Sequence, residues 1–87
     1  MIERTVTISN PLGLHARPAA QFVKLAARYQ CLVELGRDGT MVNGKSIMGV
    51  MMLAAEQGAM VLIRADGDDE NEAVEALAAL IEAGFGE

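Results

Sequence analysis

The stretch GLHARPAA, residues 13–20, holds the strongest candidate for chemistry in this sequence. His15, the only histidine, carries an imidazole that is a nucleophile when it is neutral. Arg17 adds a permanent positive charge and a fork of donors that fits phosphate. Pro18 favours the first turn of a helix, because its missing N–H would have no partner there. We therefore expect His15 at a helix N-terminus, where the backbone N–H groups of Ala16 and Arg17 and the helix dipole attract an anion.

The chemistry that these residues favour is transient phosphorylation of His15. A helix N-terminus disfavours the imidazolium ion and keeps the ring nucleophilic. A metal site is not expected, since one histidine without a neighbouring Cys, Asp or Glu cannot complete a ligand set. No carboxylate that could orient the ring, as in a hydrolytic triad, is apparent either. From the residues alone the alternative stays open that His15 only forms a local hydrogen bond at a helix start.

The composition is typical of a small globular domain. The 87 residues fit one domain, residues 1–87, and 52% of them are hydrophobic, which is enough for a core. The net charge of −5 and the absence of tryptophan disfavour nucleic-acid binding. Cys31 is alone and cannot form a disulfide within the chain, and no signal-peptide pattern or membrane-spanning run is apparent. We therefore expect a cytoplasmic protein with no nucleic-acid or membrane partner and no cofactor.

Hydrophobic periodicity and turn residues predict seven helices and strands. In chain order these are a strand over 2–9, a helix running to about 29, strands over 31–35 and 40–42 joined by a turn at 36–39, a short helix over 47–53, a strand over 59–65, and a helix that follows an N-cap at Asp68 or Asp69 and stops at Gly84. The order β-α-β-β-α-β-α predicts an α+β open-faced sandwich, in which a four-stranded antiparallel sheet carries three helices on one face.

Ser46 and the apolar residues after it form a second feature. Ser46 suits the N-cap of the short helix, although Gly49 stands where a capping box would place Glu or Gln. A helix of about two turns cannot bury all of its large apolar side chains, and methionine is common at surfaces that bind several partners. We expect an exposed apolar patch from Ile47, Met48, Met51 and Met52. The alternative is that all four belong to the core.

Several cations lie on or near the first helix of this acidic chain. Lys24 and Arg28 are four residues apart and share a helix face, and Arg17 and Lys45 would extend the positive charge. Beside an anion site such a rim could steer an acidic partner. The alternative is an ordinary solvated helix face.

The two motifs, GLHARPAA around His15 and NGKSIMGVMML around Ser46, resemble the HPr family of histidine-containing phosphocarriers in the bacterial sugar phosphotransferase system. The length and the order of elements agree with this resemblance. It implies that enzyme I, charged by phosphoenolpyruvate, passes a phosphoryl group to Nδ1 of His15, with the help of Arg17. The carrier, which is not an enzyme, then passes the group to histidines of enzyme IIA proteins.

The resemblance also implies regulation and a docking surface. Ser46 aligns with a serine that an ATP-dependent HPr kinase/phosphorylase modifies, which can link the carrier to a transcription regulator. A phosphate there would repel acidic partners if Ser46 lay beside His15. The resemblance favours a monomer. The expected docking residues are Ala20, Lys24, Lys45, Ile47, Met48, Gly49, Met51 and Met52.

Two alternatives to sugar transport remain at this point. The residues around Ile47 and Met48 look more like branches in which the carrier serves regulation, including the nitrogen-related phosphotransferase pathway. In that case the chain would act as a regulatory relay or binding module with little role in sugar uptake. A ferredoxin-like RNA or small-ligand module would share the order of elements, but the acidic charge and the scarcity of aromatic residues disfavour it.

Overall fold

An antiparallel sheet of four strands organises the computed structural model, which describes all residues from 1 to 87. The strands are β1 (Ile2–Thr7), β2 (Leu32–Arg37), β3 (Thr40–Asn43) and β4 (Met60–Asp66), and they lie in the order β1-β4-β2-β3. The helices are α1 (Ala16–Ala26), α2 (Ile47–Met52) and α3 (Glu70–Glu82), followed by a 3-10 turn over Gly84–Gly86. The predicted order of elements and the open-faced sandwich are confirmed. None of the helices has both the length and the apolar character that a membrane crossing requires.

Alternation along the strands sends one set of side chains toward the helices. In β1, Val6 is buried whereas Glu3 and Thr5 are exposed, as a strand with one solvated face requires. Opposite pairs such as Val6 with Val61 fix the register between neighbouring strands. A slip of one residue would turn every buried side chain to solvent, so the apolar pattern determines the pairing.

The three helices cover this apolar face and complete the core. Phe22 of α1, Val50 of α2 and Leu77 of α3 are each fully buried. With the inward side chains of the sheet they belong to one cluster of 21 buried hydrophobic residues. This cluster holds the N-terminus of α1 and the whole of α2 in fixed positions relative to the sheet.

Several element boundaries differ from those predicted by one to three residues, and two of them, the ends of β2 and α1, have a clear local cause. The β2–β3 turn contains only Asp38 and Gly39, whose φ angles are 52° and 85°. Left-handed values at both positions make a two-residue turn whose twist matches the strands, so β2 continues through Arg37. Helix α1 ends at Ala26 because the following N–H groups of Arg28 and Tyr29 bond three residues back instead of four.

Asp69 has a different role from the capping role predicted for it. It occupies the N-cap position of α3, but its side chain makes no capping hydrogen bond. Its carboxylate instead accepts from the backbone N–H groups of Gln30 at 2.8 Å and Cys31 at 3.0 Å. These hydrogen bonds hold the pKa of Asp69 below its usual value. Burial, with Asp69 nearby, raises the pKa of the Cys31 thiol to about 11, so this cysteine is a neutral core residue.

Candidate functional site

His15 is the N-cap residue of α1, as predicted. Its backbone is extended, with φ −77° and ψ −174°, and its carbonyl accepts the first helical hydrogen bond from Ala19 at 3.0 Å. The next N–H groups along the chain, those of Ala16 and Arg17, donate to no acceptor within the protein. The start of α1 therefore presents two backbone donors beside the imidazole ring.

The loop before His15 is fastened to Ala55, three residues beyond the end of α2. The N–H of Leu14 donates to the carbonyl of Ala55 at 2.9 Å. Gly13 has a φ of 68°, and a Cβ at this position would lie 2.2 Å from the same carbonyl oxygen. Only glycine fits such a conformation and such a close approach. The loop therefore delivers His15 in one position.

A carboxylate that was not predicted from the sequence contacts the His15 ring. Oε2 of Glu87 lies 2.9 Å from Nε2 of His15, although the two residues are 72 positions apart. Oε1 of the same carboxylate accepts from Nδ2 of Asn10 at 3.0 Å. The expectation that no carboxylate orients the ring is therefore wrong.

A sharp turn at the end of α3 brings Glu87 to this place. Gly84, Phe85 and Gly86 all have left-handed φ angles, between 57° and 76°, and the Phe85 side chain is buried in the core. The two glycines indicate a turn in the sequence. Nothing in the sequence indicates that the turn points toward residue 15.

The contact with Glu87 determines which nitrogen of His15 carries the proton when the ring is neutral. An ionised carboxylate only accepts hydrogen bonds, so the proton of the neutral ring resides on Nε2. Nδ1 then keeps its lone pair, and no protein group bonds to it. The His15 side chain is 35% exposed, so a reactant can reach the ring from solvent. Arg17, two residues along the chain, is exposed and has no ion-pair partner, so its guanidinium is available to an anion.

Ser46 lies at the other end of the helix pair. It caps α2 as predicted, since its Oγ accepts from the N–H of Gly49 at 3.1 Å. The neighbouring Lys45 donates from Nζ to the carbonyl of Tyr29, just beyond the C-terminus of α1, at 2.6 Å. Helix α1 has 11 residues and is about 16 Å long, and Lys45 is tied to the end of it opposite His15.

Between these two ends lies an exposed apolar surface, here called the α2 patch. Its members are Ile47, Met48, Met51 and Met52, which are exposed by 45%, 73%, 41% and 77%. Val50 and Leu53, from the same segment, are the residues that enter the core. The alternative that all the large apolar side chains of α2 are buried is therefore wrong.

The other predicted docking residues differ in how available they are. Ala20 and Lys24 are exposed on α1, the helix that packs against α2. Gly49 is partly buried, and its N–H is occupied by Ser46. The Nζ of Lys45 is already bonded to a backbone carbonyl, so this lysine ties α1 to α2 and offers less charge to a partner than Lys24 does.

Known proteins resemble this chain over its whole length. A sequence model of the family described as "PTS HPr component phosphorylation site" matches residues 2–83, which include both motifs. The chain belongs to the HPr family. Members of this family are phosphocarrier proteins of the phosphotransferase system and not catalysts.

Relatives agree in sequence and in structure. Phosphocarrier protein HPr of Cupriavidus necator is 52% identical over 87 residues, which are 100% of this chain and 98% of that protein. The crystal structure of HPr-C-His from Thermoanaerobacter tengcongensis is 50% identical and matches with a TM-score of 0.96 over 100% of this chain and 98% of its own. A structure of an HPr dimer from the same organism is 50% identical and matches with a TM-score of 0.80 over the whole of both chains.

Proposed function

We propose that this chain, as one domain over residues 1–87, carries a phosphoryl group on Nδ1 of His15 from enzyme I to enzyme IIA proteins in the cytoplasm. The single observation that supports this most strongly is the contact between Nε2 and Glu87, which leaves Nδ1 as the free nucleophilic nitrogen. Membership in the HPr family supports a carrier role.

In the proposed transfer the lone pair of Nδ1 attacks the phosphorus atom carried by enzyme I. A P–N bond forms at His15, the bond between phosphorus and the donor breaks, and its electron pair returns to the donor group. The modified ring then has a proton on Nε2 and is positively charged, so the carboxylate of Glu87 stabilises it.

The phosphoryl oxygens find donors at the start of α1. The N–H groups of Ala16 and Arg17 and the guanidinium of Arg17 are all without a protein partner. Two amides and one exposed cation stabilise the phosphoryl group modestly, which suits a carrier that must release it again. Transfer to enzyme IIA repeats the same displacement with a histidine of that protein as the attacking group.

We further propose that Ser46 is a regulatory phosphorylation site for an HPr kinase/phosphorylase. Its Oγ is partly exposed at the N-terminus of α2, where a phosphate is electrostatically tolerated. The phosphate would add about −1.5 to −2 charges. Because Ser46 is the N-cap of α2 and borders the α2 patch, this charge would act on partners that dock there.

The α2 patch, with Ala20 and Lys24 beside it, is the proposed docking surface for enzyme I and enzyme IIA proteins. Apolar side chains with the unpaired cation Lys24 on the adjacent helix suit partners whose surfaces are apolar and acidic. We propose that the working form is a monomer, because a dimer that covered this patch would compete with these partners. Light scattering across a dilution series would test this.

A regulatory relay with little role in sugar uptake is the second candidate. The observation that favours it is the pair of large, strongly exposed residues at the start of α2, Ile47 and Met48, next to a serine that can be modified. Both candidates use the same acceptor, His15. They differ in the partner that receives the phosphoryl group. Incubating the phosphorylated protein with a set of enzyme IIA proteins, and measuring which of them become phosphorylated, would separate the two.

The first test is transfer from phosphoenolpyruvate. We expect that the wild-type protein, incubated with phosphoenolpyruvate and enzyme I, gains one acid-labile phosphoryl group in an intact-mass measurement. His15→Ala should gain none while keeping its circular dichroism spectrum. A Ser46→Ala variant serves as a control and should still be labelled. Absence of labelling on folded wild-type protein would contradict the carrier function.

A further inference from the structure

The methionines of this protein are distributed unusually. None of the six belongs to the cluster of buried hydrophobic residues. Three of them, Met48, Met51 and Met52, lie together on α2 with exposed fractions of 73%, 41% and 77%. Met60 is also exposed, but it belongs to β4, on the sheet. The core would therefore be insensitive to a reagent that attacks exposed thioethers, whereas the α2 patch would be modified.

We propose that Met48, Met51 and Met52 form an oxidation-sensitive site at which peroxide blocks the docking of partners. In each step the thioether sulfur attacks one peroxide oxygen and the O–O bond breaks. The sulfur is oxidised by two electrons to a sulfoxide, and the peroxide is reduced to water. The product replaces an apolar surface by a polar one.

The fold should survive this modification because α2 is held by other residues. Val50 is fully buried and Leu53 is 7% exposed, and both point into the core. The N-terminus of α2 is fixed by the hydrogen bond between Ser46 and Gly49. Three sulfoxides on the solvent side leave these contacts unchanged. His15 and Glu87 contain no thioether, so the acceptor nitrogen should keep its reactivity.

This inference depends on the proposed function, since docking is the property that oxidation would remove. A few well-packed residues near the centre of an interface account for most of the binding energy. We therefore expect oxidation of all three methionines to slow transfer from enzyme I by on the order of tenfold or more. Enzymes that reduce methionine sulfoxide would restore the rate.

The test compares oxidised and reduced protein with two variants. The wild type, M48L/M51L/M52L and the matched control M41L/M60L are treated with hydrogen peroxide, and peptide mass measurements show which methionines are modified. Leucine keeps the patch apolar but cannot be oxidised. Each protein is then assayed for transfer from phosphorylated enzyme I. It is also assayed for phosphorylation by phosphoramidate, a small donor that needs no protein docking.

The expected result is that oxidised wild type and oxidised M41L/M60L transfer from enzyme I more slowly than their own reduced forms but still react with phosphoramidate. The rate of M48L/M51L/M52L from enzyme I, compared with its own reduced form, should not change on oxidation. Oxidised wild type that transfers at its reduced rate would overturn the inference, and so would a triple variant that becomes equally slow after oxidation. The reduced wild type tests the proposed function separately. If it accepts nothing from enzyme I, then the carrier function itself fails and the docking role fails with it.

Discussion

The cations of α1 and the arginines of the sheet are used in different ways. On the sheet, Arg4 pairs with Glu75 of α3 at 2.6 Å, and Arg64 pairs with Glu3 across the strands at 2.7 Å. Arg37 pairs with Glu56 as well as with its neighbour Asp38. On α1 and in the turn after it, three exposed cations have no carboxylate within ion-pair distance: Arg17, Lys24 and Arg28.

This difference shows why the net charge alone describes the protein poorly. The chain carries −5 overall, yet the helix that begins at His15 presents only unpaired positive charge on its exposed face. A paired arginine has its field largely cancelled by its partner, so it adds little to the attraction of an incoming protein. An unpaired one remains available to steer an acidic partner toward the acceptor ring.

The largest effect is expected from removing the cation nearest to His15. Arg17→Ala should slow phosphoryl transfer from enzyme I by roughly 100-fold, because the phosphoryl group loses a charged donor as it arrives. Arg64→Ala removes an arginine whose charge is already paired, so its rate should be close to wild type. Stopped-flow or rapid-quench transfer assays would measure both. An equal decrease of the transfer rate in the two variants would mean that an unpaired cation on α1 contributes no more to transfer than a paired arginine on the sheet.

A smaller effect is expected from adding negative charge at Ser46, the N-cap of α2 beside the α2 patch. Ser46→Asp should slow transfer by on the order of tenfold at low salt, because the new charge opposes acidic partners. Asp and Asn both cap helices well, so Ser46→Asn is a matched control with the cap and without the charge. The gap between the two variants should narrow as salt is added. A gap that persists at high salt would indicate a conformational cause.

The smallest effect on phosphoryl transfer is expected from replacing Asp69. The same replacement should have a clear effect on the stability of the fold. The folded protein lowers the pKa of Asp69 from its usual 3.8, so the ionised carboxylate stabilises the fold above that pH and the contribution disappears as pH falls below it. Asp69→Asn should therefore have a lower Tm than wild type at pH 7, with a difference that shrinks as the pH falls below about 4.

The control for this prediction is the neighbouring residue. Asp68 is exposed and accepts no hydrogen bond, so Asp68→Asn should change the Tm little at any pH. Thermal melts followed by circular dichroism would measure all three proteins. A Tm difference for Asp69→Asn that stays constant down to pH 2 would show that the carboxylate's charge is not what stabilises the loop.

Local features of the fold and site were predictable because they depend on neighbouring residues. Pro18 indicated where α1 begins, and therefore that His15 would be its N-cap. Ser46 was predicted to cap α2 for a similar reason, since its hydrogen bond is made within four residues. The excess of large apolar side chains on a two-turn helix predicted the exposed α2 patch.

Features that depend on distant parts of the chain were not predictable in this way. Asp69 has the residue type and position of a helix cap, yet its carboxylate serves Gln30 and Cys31, 39 and 38 residues away. Glu87 orients His15 across 72 residues, and only the packing of Phe85 brings it there. Hydrophobic periodicity identifies the buried face of a helix or strand, but it does not predict which loops contact each other in the folded chain.

The way in which α2 is held has a consequence for the entropy of binding. Six residues are too few for a stable isolated helix, but Lys45 fastens its start to the carbonyl of Tyr29 and Ala55 fastens its end to the N–H of Leu14. A partner therefore meets a backbone that is already ordered, and association costs little backbone freedom. The methionine side chains at its surface keep their rotamer freedom and can adjust to interfaces of different shape. A rigid support with adaptable side chains allows one small surface to bind several partners in turn.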